Sequence, residues 1–568
     1  MKRLLLPTLI TMAFLPVAQA AEYQAQRNSE RPNIVLVISE DMSSRIGAFG
    51  DPIAHTPNLD ALAKEGVRFN QVYTMAGVSA PSRAGLITGA PSHISGLQHM
   101  RTADQNYVGV PPSYIKAYPE LLRRSGYYTY NDIKTDYQFV KGAMDPGPFT
   151  IWSAHGSPKQ FSDYLVPSAW RHADLQDKPF FLNLNPMITH ESGLFTAGRA
   201  PEKFKGLQQL MEKIRAQYPL TTPDIGKIKL PDYLVDSTET RQEVARFYQN
   251  IAVMDQQVGK VISDLKQDGL WDNTIFIFTT DHGDCLPRSK REGYITGTHV
   301  PMIMHIPDRF KPKWMPANGK SVDRLISFED MAPTLLGFAG VKPLFYMNGI
   351  DLSQDQPRAR KYVYADRGRM DNAPLRSYYV ADTRYQYVRN FDHTPNGASI
   401  DFRNYLASVE DLNQGHAKGT LNAKQKIWFE PKPDEQLYDL KVDPLELNNL
   451  AADPAYQQKL IEMRHAMSEW RNRANDMGVV DEQVMKRDLL NSDGTQKTTL
   501  PPVPERDVTT GEVFIANRTS GASIGYSYDG KVWQVYNGSF VPPHDTHQLQ
   551  VKAVRYGWKE SETTNYSW

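Results

Sequence analysis

Acidic side chains and one imidazole directly follow two apolar runs of this 568-residue sequence. Glu40 and Asp41 follow the first run, and Asp281 with His282 follows a later one. Three carboxylates that converge at one place repel one another unless a cation lies between them, and hard oxygen ligands with one imidazole suit a divalent cation. Either pair alone is more typical of solvated loop acids that cap a helix. The two pairs together predict a divalent-metal site.

Two further apolar runs also end in polar residues that can do chemistry. Lys134 follows one of them, and His190 follows the next. Ligands of open α/β sheets bind beyond the carboxyl ends of the strands, so four such ends predict one pocket. Imidazole can donate a proton near neutral pH, which makes His190 a candidate acid. Lys290 lies in the basic loop 288–291, where an exposed lysine is the alternative interpretation.

The elements that must position these side chains can be predicted from the apolar pattern. Short runs that are apolar on both faces are typical of buried strands in a mostly parallel sheet covered by helices. They span residues 33–39, 127–131, 180–185, 274–280 and 302–306. Residues 238–267 carry apolar side chains at helical spacing and predict a long helix. We therefore expect an α/β domain, a large mixed and mostly parallel sheet flanked by helices, over residues 31–345.

The pattern changes after this domain. Three short strand-like pieces precede a helical pattern at residues 454–475, which predicts a smaller sheet-plus-helix domain over residues 346–490. Paired prolines among polar residues at 491–507 are typical of a linker. Strand-like runs separated by turn signals then predict a C-terminal β-sandwich over residues 508–568.

The charge balance and the cysteine content limit the partners and the chemistry. Lys+Arg and Asp+Glu residues number 64 each, so no large single-sign field exists, and we expect no binding to nucleic acid or to a membrane surface. Cys285 is the single cysteine of the sequence, which excludes an internal disulfide. A packed thiol is its more typical role than that of a nucleophile or a ligand.

Residues 1–20 have the pattern of a secretory signal peptide. Lys2 and Arg3 begin the segment, an apolar stretch follows, and small residues around Ala18 and Ala20 end it. The alternative is a membrane anchor. A membrane-spanning helix needs about 20 apolar residues, which is more than this stretch contains, so the pattern favours a signal peptide. We expect a protein that is exported, periplasmic or secreted, and that has no membrane association after cleavage.

The segment 79–89, SAPSRAGLITG, resembles the maturation signature of the formylglycine-dependent sulfatases of the alkaline phosphatase superfamily. In that signature a Cys or Ser is followed by x-Pro-x-Arg and then by a Leu-x-Thr-Gly element. Ser79, Pro81, Arg83 and the segment 86–89 match every defining position. A bare Ser-x-Pro-x-Arg describes only a turn into a helix, so the downstream match carries the resemblance.

The resemblance covers most of the chain. Residues 57–69 resemble the first helix and second strand of the family, and residues 437–450 resemble its second domain. The segments 134–137, 189–192 and 297–301 resemble the branch that includes the heparan N-sulfatases and bacterial polysaccharide sulfatases. The C-terminal β-domain looks like the small domain often appended to chitobiase-type enzymes.

The resemblance implies a cofactor made from the chain itself. A maturase that acts on serine would oxidise Ser79 to formylglycine, one oxygen of the aldehyde hydrate would attack sulfur, and the other would be deprotonated to expel sulfate. The metal ligands would be Glu40, Asp41, Asp281 and His282, with calcium as the expected cation. The family usually has Asp at the position of Glu40 and often Asn at that of His282, so magnesium or a transition metal stays open.

Further roles follow from the same resemblance. Arg83 would bind the hydrate, and Lys134 with Lys290 would neutralise charge on the sulfate in the transition state. His190 would protonate the leaving oxygen, although Asp136 stands where many sulfatases carry a second histidine. The side chains expected to grip the sugar are His99, Arg101 and His299.

We therefore expect a sulfatase, a sulfuric ester hydrolase that removes sulfate groups from sulfated oligo- or polysaccharides during polysaccharide degradation. Two alternatives stay open. The same scaffold can hydrolyse phosphate or phosphonate esters. A noncatalytic carbohydrate-binding protein, in which Ser79 is never modified, is the other.

Overall fold

The computed structural model describes residues 30–100, 108–156, 169–171, 175, 178–195, 202–370, 373, 375–397, 400, 402–473 and 475–568. The predicted signal peptide and Arg101 lie outside the described residues. In the described part of the chain, no helix is both long enough and apolar enough to cross a membrane.

Nine strands of the described chain form one large sheet in the order β4-β3-β5-β1-β6-β7-β2-β8, with β9 also paired to β2. Neighbouring strands are parallel except at β7, which is antiparallel to both β6 and β2. This confirms the predicted α/β class with a mixed, mostly parallel sheet. The strands are β1 (Asn33–Ser39), β2 (Val67–Tyr73), β3 (Tyr128–Asn131), β4 (Ala154–His155), β5 (Phe180–Leu184), β6 (Thr274–Thr280), β7 (His299–His305), β8 (Ser321–Val322) and β9 (Ile326–Ser327).

Both faces of this sheet are covered, which explains why its central strands are continuous apolar runs. Along β1, Val35 and Val37 belong to one buried hydrophobic cluster, whereas Ile34 and Leu36 belong to another on the opposite face. Helices α1 and α6 pack in the first cluster, and α2, α4 and α8 pack in the second. The helices are α1 (Pro57–Glu65), α2 (Ser79–Thr88), α3 (Ser92–Ser95), α4 (Tyr118–Arg124), α5 (Lys205–Arg215), α6 (Thr238–Gln267), α7 (Ile295–Thr298), α8 (Met331–Phe338), α9 (Ala407–Lys418), α10 (Ala423–Lys426), α11 (Gln457–Asn472) and α12 (Glu482–Leu489).

A second, antiparallel sheet follows, with the order β10-β11-β12-β13. Helix α11 packs on it through the apolar stripe Leu460, Met463, Met467 and Trp470, and the Trp470 ring stacks on Tyr364 with centroids 4.8 Å apart. The stripe is therefore core, as the helical pattern predicts. The strands are β10 (Val363–Arg367), β11 (Ser377–Ala381), β12 (Tyr385–Asn390) and β13 (Glu435–Asp439).

The C-terminal residues form a two-stranded and a four-stranded antiparallel sheet. Val513 and Ile515 of one sheet share a buried cluster with Leu549 and Val551 of the other, as in a small sandwich. Strand β14 begins inside the segment 491–507, which we predict as a linker. Proline is tolerated there because β14 is an edge strand. The strands are β14 (Val503–Arg506), β15 (Val513–Ala516), β16 (Ser523–Ser527), β17 (Gln534–Val535), β18 (Gln548–Val554) and β19 (Thr564–Ser567).

Candidate active site

The parallel strands β1, β3, β5 and β6 end at one edge of the large sheet, and their pairing brings the polar residues that follow them together. Helix α2 begins at this edge with Ser79, and all ten of its residues are buried. The first four backbone N–H groups of a helix have no intrahelical acceptor, so Pro81 costs no hydrogen bond there. Arg83 follows Ser79 by about one helical turn. The positive end of the helix dipole, where Ser79 lies, favours an anion.

Asp41, Asp281 and His282 can each offer one ligand atom, and these atoms all lie within 4.8 Å of one another. His282 Nε2 is 3.0 Å from Asp41 Oδ1 and 3.8 Å from Asp281 Oδ1. Glu40, Asp41 and His190 form an overlapping set of the same kind. Asp41 Oδ1 is buried, and apart from the candidate ligand His282 it has no hydrogen-bond partner among the described residues. A carboxylate oxygen in that state fits a cation ligand, because an isolated buried charge is costly.

Three cationic side chains compensate the carboxylates. Lys290 Nζ lies 2.5 Å from Asp41 Oδ2, and Arg83 Nε lies 3.0 Å from Asp281 Oδ2. The Arg83 guanidinium and Lys134 also pair with Glu40. All of these charged groups are buried, so the pairs are shielded from water.

The pKa values of the three carboxyls diverge. Burial raises the pKa of Glu40, and Arg83 offsets this only in part. Burial acts in the same direction on Asp41, but Lys290 and the neighbouring imidazoles hold its pKa well below the usual value. The pKa of Asp281 is lowered too, because the attraction of His282 and Arg83 outweighs burial. At neutral pH the site therefore presents at least two carboxylates.

Ser79 lies against both the cations and the ligand set. Its Oγ is 3.3 Å from Lys134 Nζ and 3.3 Å from His282 Nε2. Only 1% of the residue is exposed. The side chain at position 79 thus lies between a candidate metal ligand, His282, and the Lys134 ammonium group.

His190 is half-buried beside Lys290. Its Nε2 lies 3.4 Å from Lys290 Nζ, and its Nδ1 lies 2.9 Å from Ser192 Oγ. Burial and the Lys290 charge lower the pKa of His190 to about 3. The His190 ring is therefore neutral at neutral pH when no substrate is bound. Its ability to donate a proton depends on the charged groups beside it.

The other residues expected to grip the sugar are placed differently. His99 Nδ1 accepts a hydrogen bond from the Arg369 backbone N–H at 3.0 Å. His299 Nε2 lies 2.7 Å from the Asn70 carbonyl oxygen, and its ring packs on Tyr73. Both histidines make contacts typical of packed residues, and their roles as sugar ligands stay predictions. Arg101 lies outside the described residues.

Three residues that the sequence interpretation did not select also contact the site. Asn185 accepts a hydrogen bond from Arg83 Nη1 at 2.6 Å. Glu191 pairs with Lys290 at 3.0 Å and with both terminal nitrogens of Arg291 at 2.9 and 2.6 Å. Burial opposes ionisation of Glu191, but Arg291 and Lys290 lower its pKa to about 2. Glu191 carried a signal, since it is an acid that follows the same apolar run as His190, whereas Asn185 is a neutral amide at the end of that run.

Cys285 lies in the core beneath the site and is 1% exposed. Burial raises the pKa of its thiol well above the usual value. An un-ionised, buried thiol is a poor nucleophile and a poor metal ligand. The structure therefore agrees with the packed role that the sequence favours.

Comparisons with known proteins give one consistent result. A family model described as Sulfatase matches residues 32–341. An ulvan-active sulfatase of Formosa agariphila is 36% identical over 571 residues, which cover 95% of this chain and 91% of that protein. Human N-sulphoglucosamine sulphohydrolase is 24% identical over 477 residues, covering 78% of this chain and 90% of that protein. A solved 2-O GAG sulfatase has the same fold, with a TM-score of 0.52, 20% identity, and coverage of 78% of this chain and 93% of that one.

Proposed function

This chain belongs to the sulfatase family and hydrolyses sulfate esters, and from that premise we propose that it removes sulfate groups from sulfated carbohydrates through a formylglycine made from Ser79. One observation carries the proposal most strongly. Ser79 Oγ lies 3.3 Å from both Lys134 Nζ and His282 Nε2, inside a buried set of carboxylates and cations. Hydrolysis of a sulfate monoester requires a nucleophile. Cationic groups and a metal ion stabilise the negative charge that develops on the transferred group.

Glu40, Asp41, Asp281 and His282 would hold the cation, and calcium is our assignment. Two observations support it: the donor set is mainly carboxylate, and among the described residues the buried Asp41 Oδ1 has no hydrogen-bond partner apart from the candidate ligand His282. When bound, the cation would polarise a sulfate oxygen as a Lewis acid. Arg83 keeps the Glu40 and Asp281 carboxylates oriented, since its guanidinium pairs with both.

Oxidation of Ser79 by two electrons and two protons would convert its hydroxymethyl group to an aldehyde, whose hydrate supplies two oxygens for attack and for release of sulfate. The maturase that does this is proposed to be a serine-type enzyme. Ser79 is 1% exposed in the folded chain. We infer that the maturase acts before this part of the chain folds, because a buried hydroxyl is not accessible to another protein.

Lys134 and Lys290 flank the sulfate subsite from two sides. Lys134 Nζ contacts both Ser79 and Glu40, whereas Lys290 Nζ contacts Asp41 and Glu191. Two buried ammonium groups in fixed positions would stabilise the negative charge that builds up on the transferring group. The N-terminal end of α2 adds a partial positive charge at the same place.

We assign the proton for the leaving oxygen to the pair of His190 and Lys290. Burial acts to lower the pKa of Lys290, but Asp41 and Glu191 raise it, so its ammonium group stays protonated. His190 Nε2 lies 3.4 Å from that ammonium group. His190 would touch the leaving oxygen: the negative charge of bound substrate would raise the proton affinity of the ring, which would take a proton from solvent and pass it to that oxygen, while the Lys290 ammonium group stays charged beside it.

The substrate class rests on the relatives. The relatives named above are an ulvan-active sulfatase and an N-sulphoglucosamine sulphohydrolase, and ulvan and sulfoglucosamine are sulfated carbohydrates. We propose a sulfated oligo- or polysaccharide as substrate, and export to the periplasm or the medium by the signal at residues 1–20.

Matched sulfate and phosphate esters of one alcohol test the reaction type, and a set of sulfated oligosaccharides tests the substrate class. We expect turnover of sulfate esters to exceed that of the matched phosphate esters at least a hundredfold, about 2.7 kcal/mol in transition-state binding. Comparable rates on both esters would favour the phosphohydrolase alternative. Activity restricted to aryl sulfates would remove carbohydrates as the substrate class.

A further inference from the structure

A second concave site lies between the large sheet and the C-terminal sheets, where a cavity of about 810 Å³ opens. We call it the junction groove. Its walls come from α4, from the segment that precedes β4, and from the four-stranded C-terminal sheet. Its lining includes Arg124, Phe149, Lys178, Tyr526, Lys531 and Trp533.

The junction groove is separate from the catalytic centre. Tyr127 and Lys178 line it, and they precede β3 and β5, whereas Lys134 and His190 follow those strands. Because β3 and β5 are parallel, the groove lies toward their amino ends and the catalytic centre beyond their carboxyl ends. A strand of this length spans about 17 Å at ~3.3 Å per residue. A ligand in the groove would therefore not occupy the catalytic pocket.

Aromatic rings form much of the lining. Trp533 and Phe149 pack edge to face with centroids 5.6 Å apart, and Tyr526 stacks on Phe540 at 4.2 Å. These four rings come from both sides of the junction, and each is partly exposed. Rings that combine an apolar face with a polar edge are suited to sugars, which present C–H faces and hydroxyl rims.

The charge of the groove is positive, although the chain as a whole carries equal numbers of acidic and basic residues. Four cationic residues line it, Arg123, Arg124, Lys178 and Lys531, against the single acid Glu560. Glu560 is already paired, because Lys552 Nζ lies 2.8 Å from it. A local excess of cations attracts polyanions.

Two of those cations are available to a ligand. Lys178 and Lys531 are exposed, and neither side chain forms an ion pair within the residues that the structure describes. Arg124 is partly exposed, with 25% of its side chain accessible, while it pairs with Glu120. Lysine and arginine form charge-assisted hydrogen bonds with oxyanions such as sulfate.

The groove is held open by contacts between its walls. Arg123 Nη1 donates to the Phe149 carbonyl oxygen at 2.7 Å, and its Nη2 donates to that of Trp533. Lys552 Nζ lies over both rings, 4.0 Å from the Phe149 centroid and 4.7 Å from that of Trp533. A preformed site costs little ordering entropy on binding.

We propose that the junction groove binds a segment of a sulfated polysaccharide chain, as an anchoring site distinct from the catalytic centre. The inference rests on the proposed function, since it takes the same substrate class. Anchoring one segment raises the effective concentration of its neighbours at the catalytic pocket. The groove therefore lowers KM for polymeric substrate and leaves kcat, and turnover of short oligosaccharides, unchanged.

A charge-reversal pair tests the groove on the full chain. Lys178→Glu with Lys531→Glu is compared with Lys342→Glu plus Lys418→Glu, two exposed lysines outside the groove that give the same change in net charge. Binding of ulvan and of chemically desulfated ulvan is measured by affinity electrophoresis on a Ser79→Ala background, so that no desulfation occurs. Turnover of ulvan and of a sulfated disaccharide is measured with the matured enzyme.

We expect the groove pair to weaken ulvan binding and raise KM for ulvan by about tenfold, the order expected when two exposed ion pairs become repulsive, while the control pair changes neither. Equal binding by the two double variants, or no ulvan binding by the parent, overturns the proposal. Equal binding of desulfated ulvan overturns sulfate recognition. Failure of the matured enzyme on every sulfate ester would instead overturn the proposed function, and the binding result would stand apart from it.

Trp533→Ala adds a test that does not alter charge, with Trp558→Ala as its control because Trp558 is similarly half-buried but lies outside the groove. The Trp533 backbone contact with Arg123 survives truncation of the ring. We expect weaker ulvan binding for Trp533→Ala alone, with disaccharide turnover unchanged. Loss of binding in both variants, or in neither, contradicts the role of the ring.

Discussion

The charged side chains of the active site are buried together, and the charge of each is compensated by its neighbours. Lys290 contacts Asp41, Glu191 and His190 at once, at 2.5, 3.0 and 3.4 Å. Removing one partner of a buried ion pair leaves an uncompensated charge, which costs about 3–5 kcal/mol. Truncation of Lys290 would therefore disturb the proposed metal ligand Asp41 as well as the proposed sulfate subsite, so less disruptive changes give clearer tests.

The role of His190 can be tested through the leaving group. We expect His190→Ala to slow hydrolysis of sugar sulfates by about 10²–10⁴-fold, the usual contribution of a general acid, and to slow activated aryl sulfates by less than about tenfold. An aryl oxide leaves without protonation, whereas a sugar alkoxide does not. The measurement is kcat/KM for both substrates in both proteins. Equal losses on the two would assign the acid to another residue.

The metal can be tested by stability as well as by activity. We expect chelation to abolish turnover and added calcium to restore it best. We also expect calcium to raise the melting temperature of the wild-type protein, since a ligand at 100 times its Kd stabilises by about 2.7 kcal/mol. Asp281→Asn should reduce that rise, because Asp281 is one of the proposed ligands. Full activity after exhaustive chelation, or an unchanged rise in the variant, would contradict this assignment.

At the scale of the elements, helix α2 and the basic loop are fixed by a close backbone approach at Gly77. A Cβ added to Gly77 would lie 1.8 Å from the Glu292 carbonyl oxygen, and the Gly77 carbonyl oxygen accepts from the Arg291 backbone N–H at 2.6 Å. Only glycine fits this approach. The contact places the loop that carries Lys290 beside the start of the helix that carries Ser79.

We therefore expect Gly77→Ala to lower the free energy of unfolding by about 3 kcal/mol, the upper end of the usual cost of overpacking, and to reduce activity by displacing Ser79 from Lys290. Gly142→Ala is the control, because nothing lies within 4 Å of a Cβ added there. Urea unfolding and kcat measure the two effects. Wild-type stability and activity in Gly77→Ala would show that the two segments are free to separate.

Some elements were predictable because one physical signal defined them. Strands β1 and β6 and helix α6 have the predicted bounds, since strands buried on both faces are continuous apolar runs and α6 carries a long helical stripe. The two-residue strand β4 leaves no such signal. Strand β14 was missed because its prolines indicate a linker, although an edge strand tolerates them.

The site was predictable where charge marked the end of a strand. Asp41, Asp281 and His282 lie close enough to share an ion, and Glu40 joins Asp41 and His190 in an overlapping set; their roles as ligands stay predictions. Asn185 was missed because a neutral amide carries no charge signal. His299 begins β7 and packs against Tyr73, and the sequence cannot show which way a strand-end side chain points.

For the whole molecule, the C-terminal sheets are joined to the large-sheet domain by a buried polar network. Glu120 of α4 accepts hydrogen bonds from Ser523 Oγ at 2.7 Å and from Tyr556 OH at 2.8 Å, and Lys116 Nζ donates to Ser523 at 2.7 Å. Burial opposes ionisation of Glu120, but Arg124 and Lys116 lower its pKa to about 2. Removing the C-terminal sheets would take two hydrogen-bond donors from the buried Glu120 carboxylate and the Ser523 acceptor from Lys116, so we propose that these sheets form a fixed part of the structure.

The Glu120 network makes a prediction about pH. The pKa of Glu120 in the folded protein, about 2, lies below its ordinary value of 4.5. Its ionised form therefore stabilises the fold fully above pH 4.5, and this contribution is lost as pH falls toward 2. We expect Glu120→Gln to be less stable than wild type at pH 7 by about 1–3 kcal/mol, with the difference shrinking below pH ~4.5. Urea unfolding of both proteins at pH 7 and below pH ~4.5 measures the difference in their free energies of unfolding. A difference that grows on acidification would contradict the network.

The most direct test of the whole account measures the chemical state of Ser79 against activity. The protein is made with and without a maturase that oxidises serine, the peptide containing Ser79 is weighed by mass spectrometry, and kcat is measured on the same samples. We expect a peptide lighter by two hydrogens only with the maturase, turnover in proportion to its fraction, and no activity in Ser79→Ala under either condition. Robust turnover by a preparation whose Ser79 is wholly unmodified would contradict the account.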